Sequence, residues 1–147
     1  MNAVITDAAP ADAPAIATIL GAWNRDTVWM PKLHCPAEDL GFAQHLLASR
    51  TTCVLRTPDV VEFLSRAGEE VEALYLTPAA RGQGYGAQLM AETKAACPRL
   101  TLYTFQANLP ARRFYARQGF TEIARSDGAE NDEHLPDLHL VWRREPQ

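Results

Sequence analysis

The chain has 147 residues, 47% of them apolar, and a formal net charge of −4 at pH 7. That length makes residues 1–147 one domain with a core of its own. The charge argues against nucleic acid as a partner. No apolar run approaches the roughly 18 residues a membrane span needs, and the three cysteines form no CxxC pair or Cys/His cluster, which points to reduced thiols in a cytoplasm and to no metal site.

The elements follow in chain order. NAVITDA reads as a first strand, and the segment MNAVITDAAPADAP has no basic stretch followed by an apolar one, so no secretory signal is expected. Asp12 is a candidate helix cap, with Pro14 in the first turn and Ile16, Ile19, Leu20 and Trp23 at i, i+3, i+4 and i+7, one apolar helix face. NRDTVWMPKLHCP is a loop with an aromatic residue and two prolines. Ala37 to Ser49 reads as a second helix, with Leu40, Ala43 and Leu47 inward. TTCVLRT and DVVEFLSR are strands around a turn at Pro58, and AGEE turns into the fourth strand, EVEALYLTP, which Pro78 ends. AQLMAETKAAC is a helix that buries Leu89, Met90, Thr93, Ala96 and Cys97 and stops at Pro98. LTLYTF is a strand. Asn108 caps a helix from Leu109-Pro110, and Gly119 ends it. Two more strands follow, the last with Leu138, Leu140 and Trp142 on a core face. The order β-α-α-β-β-β-α-β-α-β-β predicts an α/β (α+β) fold. It would be a mixed, mostly antiparallel sheet of about seven strands flanked by about four helices.

Between the fourth of the sheet-forming runs and its helix lies RGQGYG, residues 81 to 86. Glycine at this density costs chain entropy and needs a reason. Its place before a helix N-terminus supplies one. Unpaired N–H groups and the positive end of the helix dipole make an anion site there, and Arg81 adds charge. A P-loop would need Gly-Lys-Ser/Thr at the end, but Gly86 is followed by Ala87 and Gln88. A dinucleotide fingerprint would place its glycines near the chain start with an acid at the end of the next strand, and LTLYTF offers none.

The pattern Arg-x-x-Gly-x-Gly in LYLTPAARGQGYGAQLM resembles the acetyl-CoA pyrophosphate loop of the GNAT superfamily of N-acetyltransferases. NLPARRFYARQGF is similar to the second signature of that family, an Asn, a helix carrying Phe-Tyr, then Gly-Phe. The resemblance is strong from Glu70 to Phe120 and looser elsewhere. It implies the family's fold and acetyl-CoA as co-substrate, without a metal. By resemblance, the backbone of Leu74, Tyr75 and Leu76 pairs with the pantetheine arm. Arg81, Gly82, Gln83, Gly84, Tyr85, Gly86 and Ala87 hold the pyrophosphate, Asn108 touches the cofactor, and the Tyr115 hydroxyl faces the sulfur as an acid. Glu72 and Glu70 are the candidate bases, expected on one face of a strand, with Glu62 as a third option. Trp29 and His34 are the candidate acceptor contacts. Arg112 and Arg113 read as solvated helix charges or as contacts to the adenosine phosphates.

The residues also carry plainer readings. The two glutamates also fit a solvated strand face. Tyr115 also fits a core anchor. Asp127, Glu130, Asp132, Glu133 and Asp137 form either a solvated loop or an acidic rim that steers a cationic amine. His134 and His139 read as surface residues. The expected activity is acetyl transfer from acetyl-CoA to a primary amine of a small molecule, by direct attack in a ternary complex, because no cysteine sits in a nucleophile's setting. A protein or peptide amine, an aminoacyl-tRNA acceptor and a non-catalytic acyl-CoA sensor are the rivals. Dimers are common in the family, so a homodimer is among the expectations.

Overall fold

A computed structural model describes residues 3–31 and 35–145. The expected elements all form. They are β1 (Val4–Asp7), α1 (Ala13–Asp26), α2 (Pro36–Ser49), β2 (Thr51–Arg56), β3 (Val60–Ala67), β4 (Glu70–Leu76), α3 (Tyr85–Ala96), β5 (Arg99–Phe105), α4 (Leu109–Arg117), β6 (Thr121–Ser126) and β7 (Asp137–Arg143). The strands make one sheet in the order β1-β2-β3-β4-β5-β7-β6, the mixed sheet the periodicity predicts. Every pairing is antiparallel except β4 with β5.

Apolar periodicity divides the core between the two faces of the sheet. Ile16 and Ile19 of α1 and Ala43 and Leu46 of α2 pack on Val54, Phe63 and Ala73. Leu89 and Met90 of α3 and Tyr115 of α4 pack on Leu64, Val71, Leu100, Leu102, Leu138 and Leu140. Each buried Val, Leu, Ile, Phe or Met among these is worth about 1.5–3 kcal/mol relative to exposure. Three local expectations are corrected. Ala96 is exposed, because it is the last residue of α3, where the helix runs out past the core. In α2 the fully buried leucine is Leu46, with Leu40 and Leu47 packed at its flanks. Asp12 does not cap α1. Its Oδ2 accepts instead from the Ala9 N–H at 2.8 Å and from Arg56 Nη2 at 2.7 Å, because a buried carboxylate is better served by a cation than by helix amides alone.

Two irregularities open the sheet in its middle. The β3–β4 register shifts between Ser65↔Ala73 and Arg66↔Val71, leaving Glu72 as the extra residue of a bulge. The parallel β4–β5 ladder holds only Glu70↔Thr101 and Val71↔Leu102. Beyond Val71 the two strands separate, and among the described residues no strand lies beside one edge of β4 from Glu72 to Leu76. The bulge also overturns the expectation that Glu70 and Glu72 share a face. Val71 and Ala73 straddle the bulge and pack in opposite cores, so simple alternation fails there.

Candidate active site

The splay between β4 and β5 is the mouth of a groove of about 710 Å³. Arg81 and Gly86, the two ends of the glycine turn, line it, while Gly82, Gln83, Gly84, Tyr85 and Ala87 stand beside that lining. Gly82 and Gly84 have φ of +78° and +80°, a region closed to most side chains, and a Cβ at either would meet nothing within 4 Å. Gly84 is the N-cap of α3, and its carbonyl accepts from the Gln88 N–H at 3.1 Å. The first N–H groups of α3 therefore point out of the helix toward open space. Arg81 lines the same groove. Main chain, helix dipole and guanidinium combine here into a cradle for a multiply charged anion.

Leu74, Tyr75 and Leu76 form the groove wall, with their β5-facing backbone groups unpaired by any strand. Such an edge accepts an extended, amide-bearing chain as a further strand. On the opposite wall, Asn108 caps α4 as expected, its Oδ1 accepting from the Ala111 N–H at 3.2 Å. Gly119, with φ of +89°, ends that helix. Cap and stop fix α4 so that Phe114 and Tyr115 line the groove, edge-to-face at 5.3 Å. Gly86 is where α3 meets α4, since a Cβ there would lie 3.1 Å from Phe114 Cε1. Tyr115 is 8% exposed, and burial, helped by the neighbouring Tyr75 and Glu62, holds its phenol well above the ordinary value of 10. It keeps its proton at neutral pH. Burial likewise pushes Tyr75 up to about 12.

The other side of the groove is aromatic. Phe63, Tyr75, Trp23, Trp29 and Phe105 run in series, with ring centroids 5.8, 5.1, 6.0 and 5.7 Å apart. Trp29 closes this row against β5, across the gap the strands leave. Its expected companion His34 lies outside the described residues. A second cavity of about 450 Å³ adjoins the groove at Tyr103, Thr104 and Phe105 and is walled by Glu130, Glu133 and Asp137. Within that connection Asp137 accepts from the Ser126 hydroxyl at 2.7 Å, so this carboxylate also fastens its own loop. His139 corrects an expectation. It is partly buried and stacked on Tyr103, at 4.2 Å and 6°, because β5 and β7 bring the two rings into register. His134 is exposed.

Three carboxylates were candidates for proton chemistry. Glu72 lines the groove at the bulge, and Arg50 Nε donates to its Oε2 at 2.8 Å. Glu70 pairs with Thr101 at the closed end of the splay, away from the groove lining. Glu62 lines the groove, is 1% exposed, and its Oε1 has no hydrogen-bond partner among the described residues. Arg112 Nη1 donates to the Gln106 carbonyl at 2.9 Å, so it fastens the start of α4, while Arg113 is exposed. The aromatic row was missed in sequence apart from Trp29. Trp23 showed only as an apolar helix position, and Phe105 as the end of a strand.

A model of the acetyltransferase (GNAT) domain matches residues 38–122, more than half of the chain, and the chain belongs to that family. Among particular relatives, the peptidyl-lysine N-acetyltransferase YjaB of Salmonella typhimurium is 33% identical over 82 residues, which are 56% of this chain and 57% of that one. The protein of the same name from Escherichia coli is 30% identical over 82 residues, again 56% of each chain. The chain thus spans about half the length of the curated relatives it matches. The fold is that of the apo-form YjaB solution structure from Escherichia coli, with a TM-score of 0.80 at 21% identity, over 99% of this chain and 100% of that one. It is also that of yncA, a putative acetyltransferase from Salmonella typhimurium whose structure contains acetyl-CoA, with a TM-score of 0.74 at 18% identity over 100% and 96%.

Proposed function

We propose that residues 1–147 act as one acetyl-CoA-dependent N-acetyltransferase domain whose acceptor is a primary amine. The observation that carries this reading is the joint presence, in one groove, of a free strand edge, a left-handed glycine cradle and a protonated buried phenol. The residues fit the co-substrate part by part. Gly82 to Ala87, with Arg81, would take the pyrophosphate. The main chain of Leu74, Tyr75 and Leu76 would take the pantetheine amides. Gln83 and Tyr85 hold the turn's outer side, and Asn108 fixes the helix opposite. When bound, acetyl-CoA supplies the acetyl group as a thioester.

The chain's own residues then move two protons. A lysine-like amine has a pKa of ~10.4, so only a few in roughly ten thousand are neutral at pH 7. Glu72, at the bulge beside the splay, takes the proton that the acceptor ammonium must lose. Tyr115 gives its phenol proton to the sulfur as the carbon–sulfur bond breaks, and the second proton that the acceptor nitrogen loses as the amide forms restores the phenol. Glu70 sits too far toward the closed end of the ladder to share this work. The row from Tyr75 through Trp23 to Trp29 walls the acceptor side, where a cation gains about 0.5–2 kcal/mol over an aromatic face.

We assign the acceptor to the class of small cationic amines. A peptide lysine is the second reading, favoured by the activity for which the two relatives are named. The test is acetyl-CoA turnover against polyamines, amino acids, aminoglycosides and lysine peptides, read by product mass because the chain's own three cysteines would blur a thiol assay. An acetylated small amine supports the first acceptor class, and an acetylated lysine peptide supports the second. Saturable acetyl-CoA binding without any product would contradict the transferase reading.

A further inference from the structure

Of the two groove-lining carboxylates that neither proton transfer uses, Asp26 is exposed and Glu62 is buried. Its neighbours show which side of the sheet it serves. Glu62 and Leu64 are two residues apart on β3, opposite Leu76 and Leu74 in regular register, so they share a face. Leu64 belongs to the core under α3 and α4. Glu62 Oε2 accordingly lies 3.6 Å from where a Cβ on Gly86, in the first turn of α3, would stand. This is the cofactor side, across the sheet from Trp23, Trp29 and the acceptor wall. At 1% exposure, with Oε1 unpartnered, the side chain breaks the rule that buried polar atoms are paired. A charged carboxylate there would also stand beside the helix end that gathers anionic phosphates.

Resting on the acetyl-CoA reading above, we propose that Glu62 is an uncharged carboxylic acid in the floor of the acyl-CoA groove, a positioning residue that hydrogen-bonds the bound arm and whose ionisation expels the anionic cofactor. Its surroundings support the neutral form. Its register partners are Leu55 on β2 and Leu76 on β4. Gly86 of α3 adjoins it, and on α4 the group that senses its charge is the Tyr115 phenol, which titrates far above neutrality. The other charged side chains of the groove are Asp26, Glu72 and Arg81. Burial pushes the Glu62 carboxyl up from 4.5 to about 8, so it is mostly protonated at pH 7 and mostly ionised at pH 9.

The test is calorimetric titration of wild type and Glu62→Gln with acetyl-CoA from pH 6.5 to 9.5. The amide copies the neutral acid, and the comparison cancels the ligand's own titration. The expected result is a wild-type Kd that weakens about tenfold from pH 7 to pH 9 relative to Glu62→Gln. Glu62→Leu, which cannot hydrogen-bond, should bind severalfold more weakly at every pH. A wild-type measurement needs no variant to fold. Binding at pH 8.5, repeated in buffers of different ionisation enthalpy, should take up about three-quarters of a proton. No uptake, or parallel pH profiles for wild type and Glu62→Gln, would overturn the inference while leaving the acetyl-CoA reading intact. A Glu62→Gln variant that binds like wild type at every pH but does not turn over would assign Glu62 a charged base role, and also overturn it. No saturable acetyl-CoA binding at any pH would sink the parent reading and this one together.

Discussion

The two sides of the central groove are built from different parts of the chain's chemistry. Under the proposed function, recognition on the α3 and α4 side would fall to main-chain groups: the Gly82–Ala87 turn, the first N–H groups of α3 and the open edge of β4. On the α1 side, it would fall to side chains drawn from distant segments, with Trp23 and Trp29 meeting Tyr75 and Phe105. A main-chain site depends on a few residues that permit a backbone shape. A side-chain site depends on which segments the fold brings together. The first is therefore local in sequence, and the second is not.

Substitutions should separate the two sides, and the largest effect should fall between them. Tyr115→Phe removes the proton donor and keeps the ring that packs against Phe114 and Phe120. Steady-state kinetics should show turnover down by about 100-fold or more, with acetyl-CoA affinity changed by less than about threefold. Equal rates in mutant and wild type would remove Tyr115 from the chemistry. Gly84→Val acts on the cofactor side alone. A β-branched residue at φ +80° costs about 1–3 kcal/mol, so the calorimetric Kd for acetyl-CoA should rise about fivefold or more. Trp29→Ala acts on the acceptor side alone. Losing its two edge-to-face contacts should raise the acceptor KM about three- to tenfold and leave the KM of acetyl-CoA unmoved. A shift in both constants would show that the sides are not separate.

Legibility followed the same division. The glycine turn, the Asn108 cap, the Gly119 stop and the order of strands were readable because each leaves a local mark. The bulge at Glu72 was not. Nothing in EVEALYL distinguishes a regular strand from one whose register slips, and the slip decides where Glu70 and Glu72 point. Glu62 was legible as a carboxylate on a strand but not as a buried one, since nothing local in DVVEF tells which face the fold covers. The stack of His139 on Tyr103 depends on the β5–β7 register, which lies 36 residues apart in sequence, 139 minus 103.

The smallest effect should lie outside the groove. Asp12→Asn breaks the pair with Arg56 and should lower stability by about 1 kcal/mol, or Tm by about 3 °C, without touching either substrate constant. Burial alone would raise the Asp12 carboxyl, but the hydrogen bonds from Arg56 and the Ala9 N–H outweigh it and hold the group below its ordinary 3.8. Its contribution is thus complete above that value and is lost as pH falls through the folded-state pKa. Thermal melts of wild type and variant should differ at pH 7 and converge in acid. A constant difference down to the lowest pH would show that packing, not charge, separates them.

The division of the groove is tested most directly by mapping backbone amide shifts as acetyl-CoA is titrated into the isotope-labelled chain. The account expects saturable shifts concentrated in Leu74 to Leu76, Gly82 to Ala87 and the first turn of α4, with Trp23, Trp29 and the β6–β7 connection nearly still. Shifts concentrated on Trp23, Trp29 and that connection, with the glycine turn silent, would contradict it.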